Sequence, residues 1–380
     1  MEKCKVAIIH NIISPYRVPV FNELAKHPLI DVKVFYCAET HSDRNWEVNS
    51  CDAYDYTVLP GTCIQASNFK YHVNPSIVQE LLRGNYDVVI LGAYSDFTTQ
   101  LAFIVSKLAK IPLILWSEGI ASAQSKLGKL ASPFTNHIIA NVDAVIVPGE
   151  LSRQYHIECG AMPERVFIAP NIVDNEFYIE QYNQLNPKKD QLKKDRGIRH
   201  DKVILYVGQL IERKGIQYLI SAYKLFKRDN NDACLVIVGN GPIKDNLQEI
   251  CIEQHIDDVI FAGWVSEEEK VIYYSIADVF VLPTLEDVWG LVVNEAMCCC
   301  LPIISTSIAG CSKDMIIPGQ NGYVVEPRNS DQLYHAIVKI LSGSENPSVM
   351  REKSLEIVET GFSVKNMAQG FLDAINHVMH

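Results

Sequence analysis

The chain has 380 residues, of which 48% are hydrophobic and 21% are charged. These proportions are typical of a globular protein and exclude a disordered or fibrous chain, and the length predicts about two domains. The net charge of −11, together with the lack of a clustered basic stretch, argues against a nucleic-acid-binding protein.

The first half of the chain alternates short apolar runs with longer amphipathic segments. The opening run, Val6–Ile9, is too short for a signal-peptide core, and no stretch approaches the roughly 18 apolar residues that cross a bilayer. We therefore expect a cytoplasmic protein, with the inner face of a membrane left open as a location. The runs "VKVFYC", "YDVVILG", "PLILWSEG" and "DAVIVPG" are typical of buried parallel strands, which predicts a Rossmann-like domain over 1–180.

The second half restarts the same pattern after a polar stretch. Residues 181–200 are poor in apolar side chains and are predicted to be a linker, in which a helical piece is left open. The runs "KVILYVGQL", "CLVIVGNG" and "DVFVLPTLE" then alternate with helical patterns, which predicts a second Rossmann-like domain over 201–360. An amphipathic helix within 361–380 is expected to pack back on the first domain. The fold class is α/β, with two doubly wound domains facing each other across a deep cleft, where ligands would bind beyond the strand ends.

Strand ends in the second half carry glycines and a pair of cations. In "LYVGQLIERKGIQYLI" a strand ends at Gly208, and Arg213 and Lys214 precede a helix, where a cation could meet a phosphate. A solvated surface pair is the alternative for such cations. Gly239 and Gly241 in "VGNGP" would let backbone approach a ligand, although such a sequence is more often only a turn and does not indicate a dinucleotide cofactor.

The stretch "VFVLPTLEDVWGLVVNEAM" brings a buried strand to the start of a helix. The first amides of a helix lack intrahelical acceptors and can hold an anion such as a diphosphate, and Glu295 could accept hydrogen bonds from a sugar diol. The amides concerned belong to Gly290, Leu291 and Val292. Alternatively, Glu295 only favours the helix dipole and Asp287 only caps the turn.

These motifs, with "LPIIS", "NGYVVEP" and "PERVFIAPNIVD", resemble a retaining glycosyltransferase of family 4, which has the GT-B fold. The resemblance covers nearly the whole second domain. It implies that Glu295 closes the family's E-x7-E motif and holds the donor ribose, with Asp287 at the first acidic position contacting the donor sugar. It also implies that Lys214 neutralises the donor diphosphate, that the amides around Gly290 and Leu291 cradle it, and that the base lies near Val265 in "AGWVS".

Several positions depart from the family pattern. Gln209 stands where the family usually has an Arg, so one phosphate cation is missing and Arg213 is the candidate substitute. Cys300 replaces a small residue, and Ile172 replaces the Gly of "PNGVD". On the acceptor side Glu118 aligns with a frequent His, and the family's glycine-rich first loop is absent. The acceptor-side candidates are therefore Ser14, Tyr16, Arg17, Tyr94 and Glu118, with packing against the first helix as the alternative for Tyr16 and Arg17.

The resemblance implies metal-independent transfer, with retention, of a sugar from a UDP- or GDP-sugar to a glycan or lipid-linked glycan, in surface polysaccharide or glycoconjugate biosynthesis. No cofactor is expected. The 11 cysteines show no C-x-x-C spacing and are interpreted as reduced thiols. Two other functions remain open: a sugar-nucleotide epimerase using Asp96 and Glu118, and a non-catalytic nucleotide-sugar-binding subunit, which Gln209 favours. The segments "SKLAK" and "SKLGKLASPF" are candidates for membrane contact, with solvated helix faces as the alternative.

Overall fold

The structure is a computed structural model that describes residues 3–40, 53–66, 69–94, 96–121, 135–342 and 346–380. The chain forms two compact units. The first unit comprises residues 1–171 and 364–380, and the second unit comprises 172–363. The chain therefore passes from one unit to the other between Asn171 and Ile172, nine residues before the predicted end of the first domain.

The first unit is built on a sheet of seven parallel strands, and its central strands are buried on both faces. The order across the sheet is third, second, first, sixth, seventh, eighth and ninth strand of the chain. Two further strands follow the third strand along the chain and precede the sixth. They form a separate antiparallel hairpin, which the sequence analysis did not predict. The strands are β1 (Cys4–Ile12), β2 (Ile30–Ala38), β3 (Asp55–Val58), β4 (Thr62–Ala66), β5 (Phe69–Val73), β6 (Val88–Leu91), β7 (Leu113–Trp116), β8 (Ala144–Val147) and β9 (Val166–Ile168).

Helices connect these strands and bury their apolar faces on the sheet. The amphipathic helix after β1 begins with Pro at its second position, where the missing amide hydrogen costs nothing because that amide has no helical acceptor. Residues 135–141 are helical and are called α4. The other helices before residue 171 are α1 (Val18–Ala25), α2 (Ile77–Gly84), α3 (Phe97–Ala109) and α5 (Glu150–Glu158).

The segment predicted to be a linker is instead largely helical and belongs to the second unit. It contains the end of α6 (Asn175–Leu185), a short 3-10 turn and α7 (Lys189–Asp195). Tyr178 and Tyr182 place one apolar face of α6 in the core, and the buried Lys193 ammonium donates to the carbonyls of His200 and Asp201. The polar composition misled the prediction because two tyrosines and a buried lysine stem are enough to dock these short helices.

The second unit is built on six parallel strands. The strands are β10 (Lys202–Val207), β11 (Ala233–Val238), β12 (Val259–Gly263), β13 (Val279–Leu282), β14 (Ile303–Thr306) and β15 (Gly322–Val325), in the order β12-β11-β10-β13-β14-β15. The helices are α8 (Ile216–Lys227), α9 (Lys244–Glu253), α10 (Glu267–Ile276), α11 (Leu291–Cys298), α12 (Ser312–Met315), α13 (Ser330–Leu341) and α14 (Pro347–Gly361). The predicted α/β architecture with two Rossmann-like domains is confirmed.

The last helix, α15 (Val364–Met379), returns to the first unit, where it packs on α1, β8 and β9. Phe371 meets the indole of Trp116 edge to face, with ring centroids 4.9 Å apart. Gly370 allows the close approach, because a Cβ there would lie 2.2 Å from the carbonyl oxygen of Ile168. This helix therefore completes the core of the first unit.

Each sheet has one point where the strand order reverses. In the first unit this point lies between β1 and β6, and in the second unit between β10 and β13. Loops that follow two such neighbouring strands leave in opposite directions, which opens a crevice at the carboxyl ends of the strands. The loops after β1, β6, β10 and β13 are therefore the places to examine for a site.

None of the helices that the structure describes combines the length and the apolar character needed to span a bilayer. The segment "SKLGKLASPF" falls outside the described residues, whereas "SKLAK" forms the end of α3 and its C-cap.

Candidate functional site

Lys214 and Asp287 meet at the reversal point of the second sheet. Lys214 ends a 3-10 turn after β10, and Asp287 lies in the loop after β13. The Lys214 Nζ and Asp287 Oδ2 atoms are 2.5 Å apart, and the side chains are only 13% and 11% exposed. The loop of Asp287 is fixed by its carbonyl, which accepts from the amide of Gly310 at 3.0 Å. The two predicted catalytic side chains are thus an ion pair at the edge where the fold binds ligands.

The loops after β10 and β11 approach each other so closely that only glycine fits at positions 239 and 241. A Cβ on Gly239, whose φ is 135°, would lie 1.9 Å from the carbonyl oxygen of Gly208. A Cβ on Gly241 would lie 2.2 Å from the oxygen of Leu210. The "VGNGP" motif therefore locks the loop after β11 onto the loop after β10, which carries Lys214. This contact between loops accounts for the two glycines, and the ligand approach considered from the sequence stays a prediction.

Gly290 opens α11 beside the ion pair. Its φ of 102° is in the left-handed region, and a Cβ on it would lie 2.9 Å from Leu282 Cδ2 and 3.8 Å from Asp287 Oδ2. Within the described part of the chain, the amides of Gly290, Leu291 and Val292 donate no backbone hydrogen bond outside the helix. Three free amides and the positive end of a helix dipole therefore adjoin the carboxylate of Asp287.

Glu295 lies one turn into α11 and is only 7% exposed. Its carboxylate accepts from the Lys270 ammonium at 3.1 and 3.0 Å and from the Tyr274 hydroxyl at 2.7 Å. A helix dipole alone does not account for these contacts, since both partners come from a different helix, α10. The partner that a buried carboxylate needs is thus present, and the sequence analysis did not identify it.

The network continues outward from Lys270. Its ammonium is also 2.8 Å from Glu267, which accepts from the Tyr178 hydroxyl at 2.5 Å. Burial alone would lower the pKa of Lys270, but the carboxylates of Glu295 and Glu267 outweigh it and raise that pKa. Burial, reinforced by Glu295, holds the pKa of Tyr274 well above its usual value of 10, so its hydroxyl stays a neutral donor.

The remaining donor-side candidates lie in the same loops. Arg213 is exposed and donates to the carbonyl of Glu286 at 3.0 Å, which ties the loop after β10 to the loop after β13. The side chain of Gln209 is exposed, while its carbonyl accepts from Tyr206 at 2.9 Å. Val265 follows β12, next to Trp264, whose indole is 78% exposed. A flat, exposed indole at the strand-end edge was not singled out from the sequence.

Arg17, an acceptor-side candidate, is an internal residue of the first unit. Its guanidinium contacts the carboxylate of Glu118, donates to Asn171 Oδ1 at 2.8 Å and lies 4.5 Å from the ring centroid of Trp116. Asn171 in turn donates to Glu118 at 3.1 Å. Burial lowers the pKa of Arg17 to about 10. Arg17 thus packs on Trp116 and pairs with Glu118 and Asn171, rather than packing against the first helix, and an acceptor role for Arg17 or Glu118 stays a prediction.

The other acceptor-side candidates flank this network. Tyr16 lies beside Arg17, with the guanidinium 5.3 Å from its ring centroid. The hydroxyl of Ser14 is buried and has no hydrogen-bond partner among the described residues. Burial raises the pKa of Tyr94, which follows β6. Ser14 and Tyr16 follow β1 and Tyr94 follows β6, so all three belong to the loops at the reversal point of the first sheet.

Asp96, considered for epimerase chemistry, is buried and engaged. Its Oδ1 accepts from the backbone amide of His72 at 2.9 Å and lies 3.3 Å from His72 Nδ1. Glu118, the other carboxylate considered, is held by Arg17 and Asn171. Both carboxylates have internal partners that account for their positions, so the structure offers no free acid and base pair at these two residues.

Solved structures match this architecture over nearly the whole chain. The Anabaena protein Alr3699/HepE in complex with UDP superposes with a TM-score of 0.74 at 16% identity, covering 98% of this chain and 99% of that one. A sucrose-phosphate synthase of Thermosynechococcus elongatus gives 0.69 at 20% identity, covering 99% of both. The chain has the GT-B fold. Such low identities establish the fold alone.

The sequence relatives match parts of this GT-B chain rather than its whole length. Residues 188–356, less than half of the chain and all within the second unit, match the family model "Glycosyl transferases group 1". An uncharacterized glycosyltransferase of Methanocaldococcus jannaschii is 34% identical over 42% of this chain and 44% of its own length. The lipopolysaccharide 1,2-N-acetylglucosaminetransferase of Salmonella typhimurium is 28% identical over 60% of each chain. The GT-B chain thus spans about half the length of the curated relatives it matches.

No group of three or more His, Cys, Asp or Glu side chains in the described part of the GT-B chain is arranged to hold a metal ion. Burial raises the pKa of Cys298 and Cys299 well above the usual thiol value, so both are neutral, unreactive thiols in the core.

Proposed function

We propose that the protein is a glycosyltransferase that moves a sugar from a nucleotide diphosphate sugar to a hydroxyl acceptor. The observation that carries the proposal is the Lys214–Asp287 pair beside the free amides of Gly290 and Leu291, at the reversal point of the second sheet. The match of residues 188–356 to the glycosyl transferases group 1 family supports it. The glycan or lipid-linked glycan acceptor and the role in polysaccharide or glycoconjugate biosynthesis are part of the proposal.

The chemistry follows from charge. Breaking the bond between sugar and phosphate places negative charge on the diphosphate, and a lysine together with amides already oriented at a helix terminus stabilises that charge. An ammonium has three donors, so Lys214 can hold the diphosphate while it still contacts Asp287. Asp287 would accept from hydroxyls of the donor sugar, and Glu295 from the ribose.

We propose retention of the anomeric configuration and a reaction without a metal ion. The acceptor hydroxyl would attack from the face that the diphosphate leaves, and a leaving phosphate oxygen would take the acceptor proton. Lys214 and the α11 amides supply the charge stabilisation that a metal ion would otherwise provide. The partners of Asp96 and Glu118 make the epimerase alternative less favourable, because each carboxylate already contacts groups of the first unit that account for its position.

The first test is a thermal-shift titration with UDP, GDP and ADP on the wild type and on Glu295→Gln. A ligand that binds only the folded state stabilises it by about 2.7 kcal/mol at a concentration of 100 Kd. We expect one nucleotide to raise the melting temperature, and the variant to need more of it. UDP is the natural starting point, since HepE was solved with UDP. If no nucleotide shifts the wild type, the proposal fails; if one binds but no donor sugar is ever released, the chain is a binding subunit.

We also propose that the acceptor lies at an anionic membrane and that α3 contacts that surface. Its outer face carries Phe97, Ile104 and Leu108, which are 46%, 50% and 81% exposed. Lys107 lies in the last turn of this helix and Lys110 is its C-cap. Apolar side chains flanked by lysines match the chemistry of a bilayer interface with anionic lipids.

Cosedimentation with phosphatidylglycerol vesicles tests this contact. Burying a leucine contributes about 1.5–3 kcal/mol, so Leu108→Glu should lower the bound fraction by tenfold or more. The matched control is Ile252→Glu in the second unit, where the isoleucine is 74% exposed. This variant should bind to the vesicles like the wild type. Equal binding of the wild type to phosphatidylcholine vesicles, or binding of Leu108→Glu to phosphatidylglycerol vesicles as strong as that of the wild type, would contradict an anionic docking surface on α3.

A further inference from the structure

Lys270 is a charged residue inside the second unit that the reaction scheme does not use. Its side chain is 13% exposed and lies between Glu295, at 3.0 Å, and Glu267, at 2.8 Å. The ammonium also lies 5.9 Å from the ring centroid of Tyr178. These contacts join three helices, since Tyr178 comes from α6, Lys270 and Glu267 from α10, and Glu295 from α11.

Stability alone is a poor explanation for this arrangement. Removing charges from water costs several kcal/mol per ion, and well-packed apolar residues are often at least as stabilising as a buried ion pair. The strands β13 and β14 beside α11 are fully buried, and β13 is apolar throughout. A lysine, two tyrosine hydroxyls and a carboxylate in such a core are better explained if Glu295 has a function for which its carboxylate must be held in place.

The hydrogen bonds leave Glu295 partly available. Its Oε2 accepts from both Lys270 and Tyr274, whereas its Oε1 accepts only from Lys270. A carboxylate has about four acceptor positions, so at least one remains on Oε1. Lys270 supplies the counter-charge of the carboxylate, and the two donors together fix the orientation of the carboxylate plane.

We propose that Lys270 and Tyr274 are positioning residues that hold the Glu295 carboxylate, with Lys270 as its counter-charge, so that Oε1 accepts a hydrogen bond from a hydroxyl of the donor ribose. This inference rests on the proposed function, in which Glu295 contacts the donor. The titratable groups that face Glu295 are Lys270, Glu267 and Tyr274 from α10, Tyr178 from α6, and the thiols of Cys298 and Cys299 at the end of its own helix. Further along α11, Glu359 of α14 and Asp174 before α6 face Cys298.

The decisive variant is Lys270→Met, which keeps the length of the side chain and removes its charge. Without the counter-charge, a buried carboxylate takes up a proton more readily as the pH falls, and a protonated Glu295 loses acceptor strength. The affinity for UDP should then be several-fold below that of the wild type at pH 8, because one of the two orienting donors is lost, and fall about tenfold further by pH 6, whereas the wild type should change little. Calorimetric titration with UDP measures this, or with GDP or ADP if the wild type prefers it.

Three further variants separate positioning from folding. Lys270→Arg keeps the charge and should restore an affinity independent of pH. The double variant Lys270→Met with Glu295→Gln has no unpaired buried charge, folds even if Lys270→Met does not, and should match Glu295→Gln at every pH. Tyr274→Phe removes one donor and should weaken UDP binding several-fold without a strong pH dependence, because Lys270 remains.

The 2′-deoxy and 3′-deoxy analogues of the same nucleotide identify the contact. If Glu295 meets a ribose hydroxyl, Lys270→Met should lose affinity for the nucleotide but little for one of the analogues. An equal loss for all three ligands at every pH, or no loss at all, would overturn the positioning role. Failure of the wild type to bind any nucleotide would instead overturn the proposed function and is seen before any variant is made.

Discussion

Replacing Lys214 by alanine should lower the turnover of the donor by about 10²–10³-fold while the protein stays folded. Removing one group that stabilises developing charge costs about 2.7–4 kcal/mol in enzymes that use such groups. Here the ammonium is the cation paired with Asp287 next to the α11 amides. Release of nucleotide diphosphate from the donor that the thermal-shift titration identifies measures the effect, with circular dichroism to verify the fold.

The neighbouring arginine provides the matched control. Arg213 is exposed and its guanidinium donates to the carbonyl of Glu286, so Arg213→Ala should cost much less than Lys214→Ala. The double variant Lys214→Ala with Asp287→Asn removes the unpaired carboxylate and should remain as inactive as Lys214→Ala. Turnover within threefold of the wild type in Lys214→Ala would remove this residue from the mechanism, and a larger effect of Arg213→Ala would assign the phosphate cation to Arg213.

Replacing Arg17 by methionine should lower the free energy of unfolding by about 3 kcal/mol, since it leaves Glu118 without its cation in a partly buried site. Arg17 is 7% exposed and holds Glu118 and Asn171 together while it covers the indole of Trp116. Urea unfolding of the wild type and the variant measures the difference. If Arg17 served only to bind an acceptor, the stability of Arg17→Met would instead be unchanged or increased.

Two comparisons sharpen this result. Adding Glu118→Gln to Arg17→Met removes the unpaired charge and should recover part of the lost stability. The surface pair Lys26–Glu23, in which the lysine side chain is 69% exposed, is the reference for an ordinary ion pair, and Lys26→Met should change stability by about 1 kcal/mol or less. Equal effects of Arg17→Met and Lys26→Met would show that the internal network does not stabilise the first unit.

The fold and the donor-side loops were predictable because they follow from short-range patterns. Runs such as Val203–Val207 and Val279–Leu282 are buried on both faces and can only be central parallel strands. Once the strands are placed, the loops carrying Lys214 and Asp287 must lie at their carboxyl ends. That these two side chains form a pair could not be read from the sequence, because β10 and β13 are neighbours only through the strand order.

The missed features depend on contacts that cross from one element to another. Lys270 sits in "EEEKVIYY", which has the charge pattern of an exposed helix start, and only the packing of α10 near α11 brings it to Glu295. Arg17 resembled a loop residue open to a ligand, and its burial depends on Asn171, 154 positions later. The sequence analysis considered that Gly239 and Gly241 let the backbone approach a ligand or form a turn. In the structure their close partners lie in the loop after β10.

The return of α15 to the first unit has a consequence for the order of events during synthesis. Domains generally fold as units, the N-terminal one first, as the chain leaves the ribosome. Here the second unit, 172–363, is continuous and is finished before α15 has been made. The first unit, although its β1 is synthesised at the start, must wait for Phe371 to cover Trp116. Its sheet is therefore left with an uncovered apolar face while the whole second unit is translated, and that nascent intermediate is the species most in need of a chaperone.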